Sequence, residues 1–474
     1  MVILPPPVHI AIIGAGPAGL GAAIALSQLN NNSSSFPHLH IKIYEKAHLL
    51  REIGAGIRIG YNCWRVLELL GASQDVRGHR KEKVLHRNGF TGEVLLRTDN
   101  TVHGGREVER KVEEGIIELG KQVVALERVP VDQGGGARLT FADGTSTHAS
   151  LVIGGDGIRS IVRQSLFPSH NTRFTGTTIF RTLIPISSVQ HIPDVAEGTS
   201  WWHGPDGHVY LSPVDDPEEI GYRNADGWQE RMFEISCRRT FAVEEEAEEK
   251  KFSWGVPVSK QRVGSHFTDY DARPRAAQSA VPEGAWKEFA AFAGPRLDTL
   301  IGWDCVALLG DASHPLTGAF GSGAAFALED AWILARAIEY TPLHHSQQSQ
   351  QQQLGQALRI FDEIRSPYYA EMYRFLDLRK RQVQAAKQAN PNQTLDEEIL
   401  TKLGGLGLSE DDSMDWIYFN DIEKVWEAWV AKQDKERQEQ QQPGESVCGD
   451  GIESIGEVVG LVLGTGTVVE AVAA

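Results

Sequence analysis

The patterned part of the chain opens on a nearly unbroken apolar run, Val8-His9-Ile10-Ala11-Ile12-Ile13, that stops at Gly14. A short run without polar alternation reads as a strand covered on both faces, the habit of a parallel sheet. Residues 20–29 have helical composition, the polar stretch 30–35 interrupts them, and Ile41-Lys42-Ile43-Tyr44 predicts a second strand. Strand, helix and strand make a βαβ unit with a lengthened return loop. Two more strand-like runs, Leu151-Val152-Ile153 and Val306-Ala307-Leu308-Leu309, lead into Gly154-Gly155-Asp156-Gly157 and Gly310-Asp311.

Residues 172–285 differ. They are rich in Thr, Val, Trp and Tyr, with turn signals at Gly204-Pro205-Asp206-Gly207 and Asp215-Asp216-Pro217, which predicts an antiparallel sheet with helices. The expected organisation is an α/β unit over 8–171, a β-sheet domain over 172–285, and the rest of the α/β unit with C-terminal helices over 286–432. Residues 433–474, Gln-rich and then Gly/Val-rich, are expected to form a weakly ordered tail. The Gln-rich run 344–353 reads as a loop between helices, and the acidic run 244–250 as a solvated helix face.

A chain of 474 residues with 41% apolar and 23% charged residues has enough apolar surface for two packed domains. Its net charge of −17 argues against nucleic acid and against an anionic membrane surface as partners. Cys63, Cys237, Cys305 and Cys448 form no CxxC pair, so neither a disulfide framework nor a zinc site is expected. No signal-like start and no run of about 18 apolar residues is present. The expectation is a cytoplasmic protein without a metal or a membrane span.

Gly14-Ala15-Gly16-Pro17-Ala18-Gly19 is a G-x-G-x-x-G between a strand and a helix. Gly14 permits the turn, Gly16 lets main chain approach a diphosphate, and Gly19 lets helix and strand pack closely. The helix N-terminus offers free N–H groups and a partial positive charge. Glu45, at the end of the second strand, is placed to accept ribose hydroxyls; a carboxylate there favours FAD or NAD over NADP. Alone such a motif is a common glycine-rich turn. The strand, the helix and Glu45 make the dinucleotide reading the stronger one.

The three motifs in this order resemble the single-component FAD-dependent aromatic hydroxylases (group A flavoprotein monooxygenases), most closely their fungal salicylate hydroxylase-like branch. The matching stretches are 10–26, 45–62, 121–127, 151–163, 180–185 and 303–338. The resemblance implies an α/β fold: a Rossmann-like FAD-binding domain with an inserted β-sheet substrate domain and C-terminal helices. It implies FAD as cofactor, with NAD(P)H as a transient co-substrate. Gly14, Gly16, Ala18, Gly19, Glu45 and Lys46 would meet the ADP half of FAD, together with Gly56, Ile57, Arg106 and Val123. Asp156 and Gly157 would lie near the diphosphate, Asp311 would accept hydrogen bonds from the ribitol, and the main chain at Gly321, Gly323 and Ala324 would meet the pyrimidine edge. Arg181 and Asp311 are the catalytic candidates, Arg181 as the arginine that approaches the ring.

The implied reaction is hydroxylation of a phenolic or benzoate-like, salicylate-like compound through a flavin hydroperoxide. Its partners would be a small aromatic substrate, dioxygen and NAD(P)H, in a monomer or homodimer. Two other readings stand beside it: a hydroxylase or epoxidase tailoring a polyketide or terpenoid, and a flavin-binding protein without turnover. The chain departs from the family pattern in the short segment around Arg106, at Gly318 where a proline is common, and at Ala325 where an asparagine is common. Trp201, Trp202, His203, His208 and Tyr210 are candidate pocket residues, although Trp and Tyr are also ordinary sheet-core residues.

Overall fold

The computed structural model describes residues 7–32, 38–50, 59–73, 83–99, 115–214, 231–241, 254–294, 296–316, 320–341, 349–404 and 414–441. The first third runs β1 (Val8–Ile13), α1 (Pro17–Asn32), β2 (Leu39–Glu45), α2 (Tyr61–Leu69), β3 (Lys83–Asn88), β4 (Val94–Asp99), β5 (Ile117–Leu119), β6 (Val123–Arg128), β7 (Ala137–Phe141), β8 (Ser146–Ala149), β9 (Leu151–Gly154) and α3 (Ile161–Leu166). The middle holds β10 (Arg173–Pro185), β11 (Thr199–His203), β12 (Gly207–Pro213), β13 (Met232–Thr240), β14 (Trp254–Pro257), α4 (Lys260–Ser265), α5 (Ala272–Ala280) and β15 (Lys287–Ala293). Then follow β16 (Ile301–Gly302), β17 (Val306–Leu308), α6 (Gly323–Tyr340), α7 (Gln350–Ala389), α8 (Leu395–Gly404), α9 (Asp415–Tyr418) and α10 (Ile422–Gln441).

A six-stranded sheet has the order β16-β17-β9-β1-β2-β5. β1 pairs in parallel with β2 and β9, and β17 continues in parallel beside β9. The apolar run of β1 is divided by its period of two. Ile10 and Ile12 pack with α1, α6 and α7, whereas Ala11 and Ile13 pack with the three-stranded sheet β6-β7-β8 and with α3. Both faces are therefore dry, which is why the run needs no polar alternation. Because β1, β9 and β17 point the same way, the turns after them open at one edge of the sheet.

The second sheet is eight-stranded, in the order β14-β15-β10-β13-β12-β11-β3-β4. One face carries Phe180, Trp202, Val209, Leu211, Ile235 and Cys237 against α4 and α5. The domain boundaries expected from composition cut this sheet in two places. The hairpin β3–β4 lies inside 8–171 yet pairs through β3 with β11, and β15 lies beyond 285 yet pairs with β10. Strands join the edge whose hydrogen bonds are free, and composition along the chain does not record that edge.

Two further expectations change. The Gln-rich run is helical from Gln350, because Ser349 and Gln352 form a reciprocal capping box at the start of α7. α10 carries helix through Gln441, past the start of the expected tail at 433; residues 442–474 lie outside the described set. Among the described residues no helix is long and apolar enough to cross a membrane.

The tightest packing in the α/β unit is at Gly19, where an added Cβ would run into the Gly14 carbonyl oxygen and touch the Ile12 side chain. Gly19→Ala is therefore expected to cost about 3 kcal/mol, the upper end for overpacking. Thermal unfolding measures it, and an unchanged melting temperature would contradict this packing.

Candidate active site

Three main-chain turns meet at the open edge of the six-stranded sheet. Gly14, at φ +96°, donates its N–H to the Tyr44 carbonyl, and an added Cβ would stand 2.6 Å from the Gly155 carbonyl oxygen. Gly155 donates to the Ile13 carbonyl, and Leu309 to that of Gly154. Gly310, at φ +59°, is wedged between Ala18 and Ala327. Gly16 differs: an added Cβ there would meet nothing within 4 Å, and the same holds at Gly157. The jammed glycines build the turns, while Gly16 and Gly157 border open space.

Asp311 follows the third turn. Its side chain is exposed to this space, yet protein surrounds it at longer range. Burial in the crevice pushes its carboxyl up to about 6, against the pull of Arg163. Opposite it, α6 begins with Ser322, whose hydroxyl makes no capping bond, so the first N–H groups of the helix are left for another acceptor. An added Cβ on Gly323 would lie 3.7 Å from Asp311 Oδ1. At the end of β2, the Glu45 carboxylate accepts the N–H of Ala15 at 2.8 Å and of Ala47 at 2.9 Å. Each oxygen keeps a lone pair. Open main chain at Gly16, a free helix N-terminus and acceptors at Glu45 and Asp311 fit a dinucleotide lying across the sheet edge.

Buried charges hold this edge in place. Asp330 of α6 accepts the Gly310 N–H at 2.9 Å on one oxygen, and Arg365 Nε and the Tyr369 hydroxyl, both at 2.7 Å, on the other. Arg365 also donates to Glu329 at 3.0 Å, and Asn420 donates to the second Glu329 oxygen at 3.0 Å. Burial pushes Glu329 up to about 7 even beside Arg365, because one guanidinium serves two carboxylates. His314 stacks on Tyr369 at 3.7 Å and stays uncharged through burial and the nearby Arg365. Arg163 ties the second turn to the third, donating to the carbonyls of Ile158 at 2.6 Å and Ala312 at 2.9 Å.

The sheet face away from α4 and α5 carries two rows of cross-strand neighbours. One is Arg181, Ser236, Tyr210, Trp201 and His86; the other is Ile179, Arg238, His208, His203 and Asn88. Trp201 packs on Tyr210 at 4.6 Å and on His208 at 4.8 Å between ring centres. His203 and His86 share a hydrogen bond of 3.1 Å between Nε2 and Nδ1. Burial, with His86 and Lys402 nearby, pulls His203 down to about 3, so this pair is uncharged at neutral pH. Lys402 also borders a cavity of about 370 Å³ whose apolar wall is Phe320, Phe375, Leu376, Val383 and Met414. Phe320 immediately precedes Gly321 and the start of α6, so the cavity joins the aromatic face to the crevice. A smaller cavity of about 110 Å³, at Trp303, Asp304 and Arg359, lies at the opposite end of β17.

The expected site residues sort accordingly. Gly14, Gly16, Ala18, Gly19, Asp311, Gly321, Gly323 and Ala324 gather at the crevice, with Glu45 at the end of β2 and the exposed Lys46 beside it. The Ala18 side chain is buried between Gly155 and Gly310, which leaves its main chain to serve. The Asp156 carboxylate turns to α3, taking the N–H groups of Ile161 at 2.7 Å and Val162 at 3.2 Å. Val123 is buried against the Tyr44 cluster. Arg181 lies in the other sheet, ion-paired with Glu234 at 2.6 Å. Trp202 is corrected: it points into the α4/α5 core, fully buried, with Arg87 and Arg273 against its ring, because it is out of phase with Trp201 and His203. Gly56, Ile57, Arg106 and Gly318 lie outside the described residues. The sequence reading missed Asp330, Arg365, Arg163 and Arg238; adjacent charges at Glu329-Asp330 inside an otherwise apolar helix were the available signal for the first two.

Asp311 yields a signed pH prediction. Its folded value near 6 exceeds the ordinary carboxylate value near 4, so the fold prefers it protonated. Flavin-free protein then loses stability as pH rises from about 4 through 6. Asp311→Asn should raise the melting temperature of flavin-free protein above pH 6 and leave it unchanged at pH 4. The opposite order would place this carboxyl outside the crevice.

No family model matches the chain. Among curated proteins, the 6-methylsalicylate 1-monooxygenase atA of Aspergillus terreus is 32% identical over 365 residues, 70% of this chain and 75% of that protein. The 6-hydroxynicotinate 3-monooxygenase of Bordetella bronchiseptica is 27% identical over 381 residues, covering 76% and 88% respectively. Among solved structures, Klebsiella pneumoniae HpxO complexed with FAD and uric acid superposes with a TM-score of 0.61 at 18% identity, covering 88% of this chain and 97% of that one. A salicylate hydroxylase substrate complex gives 0.61 at 21% identity with the same coverage. Taken with a crevice shaped for a dinucleotide, these likenesses settle the affiliation: the chain belongs to the FAD-dependent aromatic monooxygenases.

Proposed function

We propose that this enzyme hydroxylates a phenolic or benzoate-like ring, consuming NAD(P)H and dioxygen, with the ring held between the aromatic sheet face and the start of α6. The observation that carries the reading is the cavity at Phe320, which links the dinucleotide crevice to the face of Trp201 and Tyr210. FAD supplies the oxygen chemistry when bound. The protein's own share is placement and charge. Gly16 and the start of α1 receive the diphosphate, Glu45 the ribose, and Asp311 the ribitol hydroxyls. The N–H groups at Gly323 and Ala324, backed by the positive end of α6, face the pyrimidine edge, where negative charge is best stabilised.

On the substrate side, Trp201 and Tyr210 offer flat apolar surface for a ring. His203 offers an uncharged imidazole that can orient a hydroxyl without drawing an anion to itself. Arg181, held by Glu234, is a fixed rather than a free cation. A bulkier aromatic substrate is a second reading, because a cavity of about 370 Å³ is more than twice the roughly 150 Å³ that accommodates benzene.

Purified protein should carry FAD and oxidise NAD(P)H faster when a phenolic acid is added. Gly16→Val places a side chain in open space, so it should leave unfolding of the flavin-free protein unchanged while FAD affinity falls about tenfold or more, about 1.4 kcal/mol. A variant with wild-type flavin content would overturn the placement of the diphosphate.

A further inference from the structure

Arg238 lies in the middle of β13, between Ile179 and His208 across the sheet, on the face that carries Trp201, His203 and Tyr210. Its neighbour Arg239 points to the other side and reaches Asp206 at 3.4 Å. Arg181, one row away, is held by Glu234. Among the described residues no carboxylate meets Arg238, and desolvation alone pulls its pKa down. Its guanidinium nevertheless remains accessible rather than sealed in the core, since it is absent from the enclosed polar atoms left without partners. A cation withdrawn from water without a counter-charge is unfavourable. Here it stands at the wall of a cleft, beside rings suited to a flat ligand.

We propose that Arg238 receives a carboxylate borne by the aromatic substrate, so that this enzyme selects flat aromatic monoanions over neutral phenols. The proposal deepens the reading of the aromatic face as the substrate wall and rests on it. The guanidinium is planar and can meet both carboxylate oxygens side by side. The uncharged His86–His203 pair would not compete for that group. With the carboxylate fixed at one end, the rest of the ring lies along Trp201 and Tyr210, which sets which ring carbon is presented.

The test uses FAD-loaded enzyme and two pairs of probes matched in shape: salicylate with salicylamide, and 4-hydroxybenzoate with 4-hydroxybenzamide. Calorimetry reads binding without requiring turnover. Wild-type enzyme should bind at least one acid about tenfold or more tighter than its amide. Arg238→Gln should abolish that preference while leaving amide binding within about twofold, and Arg238→Lys should restore part of it. Flavin content and melting temperature should stay at wild-type values in both variants. Amides that bind wild-type enzyme as well as the acids do, acids and amides weakened alike in Arg238→Gln, or no binding by either acid would each overturn the anion site. If the acids bind but none of the four probes stimulates NAD(P)H oxidation, the hydroxylase reading fails while the anion site stands.

Discussion

Everything at the crevice depends on where one carboxylate puts its two oxygens. Asp330 lies fully buried in α6, joined on one side to the Gly310 N–H and on the other to Arg365 and Tyr369 of α7. That geometry sets the turn after β17, and the turn sets Asp311 and the approach to α6. A buried carboxylate that loses its guanidinium typically costs 3–5 kcal/mol. Such a group therefore holds its partners in one arrangement. The surplus acid, Glu329, is pushed toward neutrality by the same burial, so the cluster need not keep two full negative charges opposite one positive charge.

The glycines divide by what a side chain would strike. Gly14, Gly19 and Gly310 are pressed against main chain or helix, and they are glycine because the protein itself fills the space. Gly16 and Gly157 face nothing. A glycine with open space before it stabilises nothing in the empty fold, and glycine lowers the order of the chain it sits in. Its presence is explained by something else coming close. One six-residue motif thus holds both kinds, and only the structure separates the residues that shape the turn from the one that admits a ligand.

What could be read from the sequence was local. The apolar runs of β1, β9 and β17 end at their glycines, so the sheet edge and most of the crevice were legible without coordinates. Even the polar stretch after residue 29 follows local rules: α1 runs on through Asn30, whose side chain clamps both the N–H and the carbonyl of Leu39 at the start of β2. What escaped was non-local. The bond between Asp330 and Arg365 joins two helices, the β3–β4 hairpin joins a sheet built mostly from later residues, and Trp201 differs from Trp202 only by which face is dry. Alternation says that neighbours point opposite ways. It does not say which way holds the ligand.

The same distinction governs Arg238 and Arg239, and it bears on how an anionic substrate could be drawn to this protein at all. A chain with a net charge of −17 repels anions at long range, but salt confines that repulsion to roughly 8 Å from exposed charges. Inside a crevice the balance is decided by the few groups removed from water, where interactions are screened far less. On the sheet face those groups are an uncharged histidine pair, an arginine neutralised by Glu234, and Arg238 with no acid beside it. At the crevice the positive end of α6 adds to the same sign. An overall anion can therefore contain a locally cationic chamber, and it is the alternation of two adjacent arginines that decides which charge lies inside it.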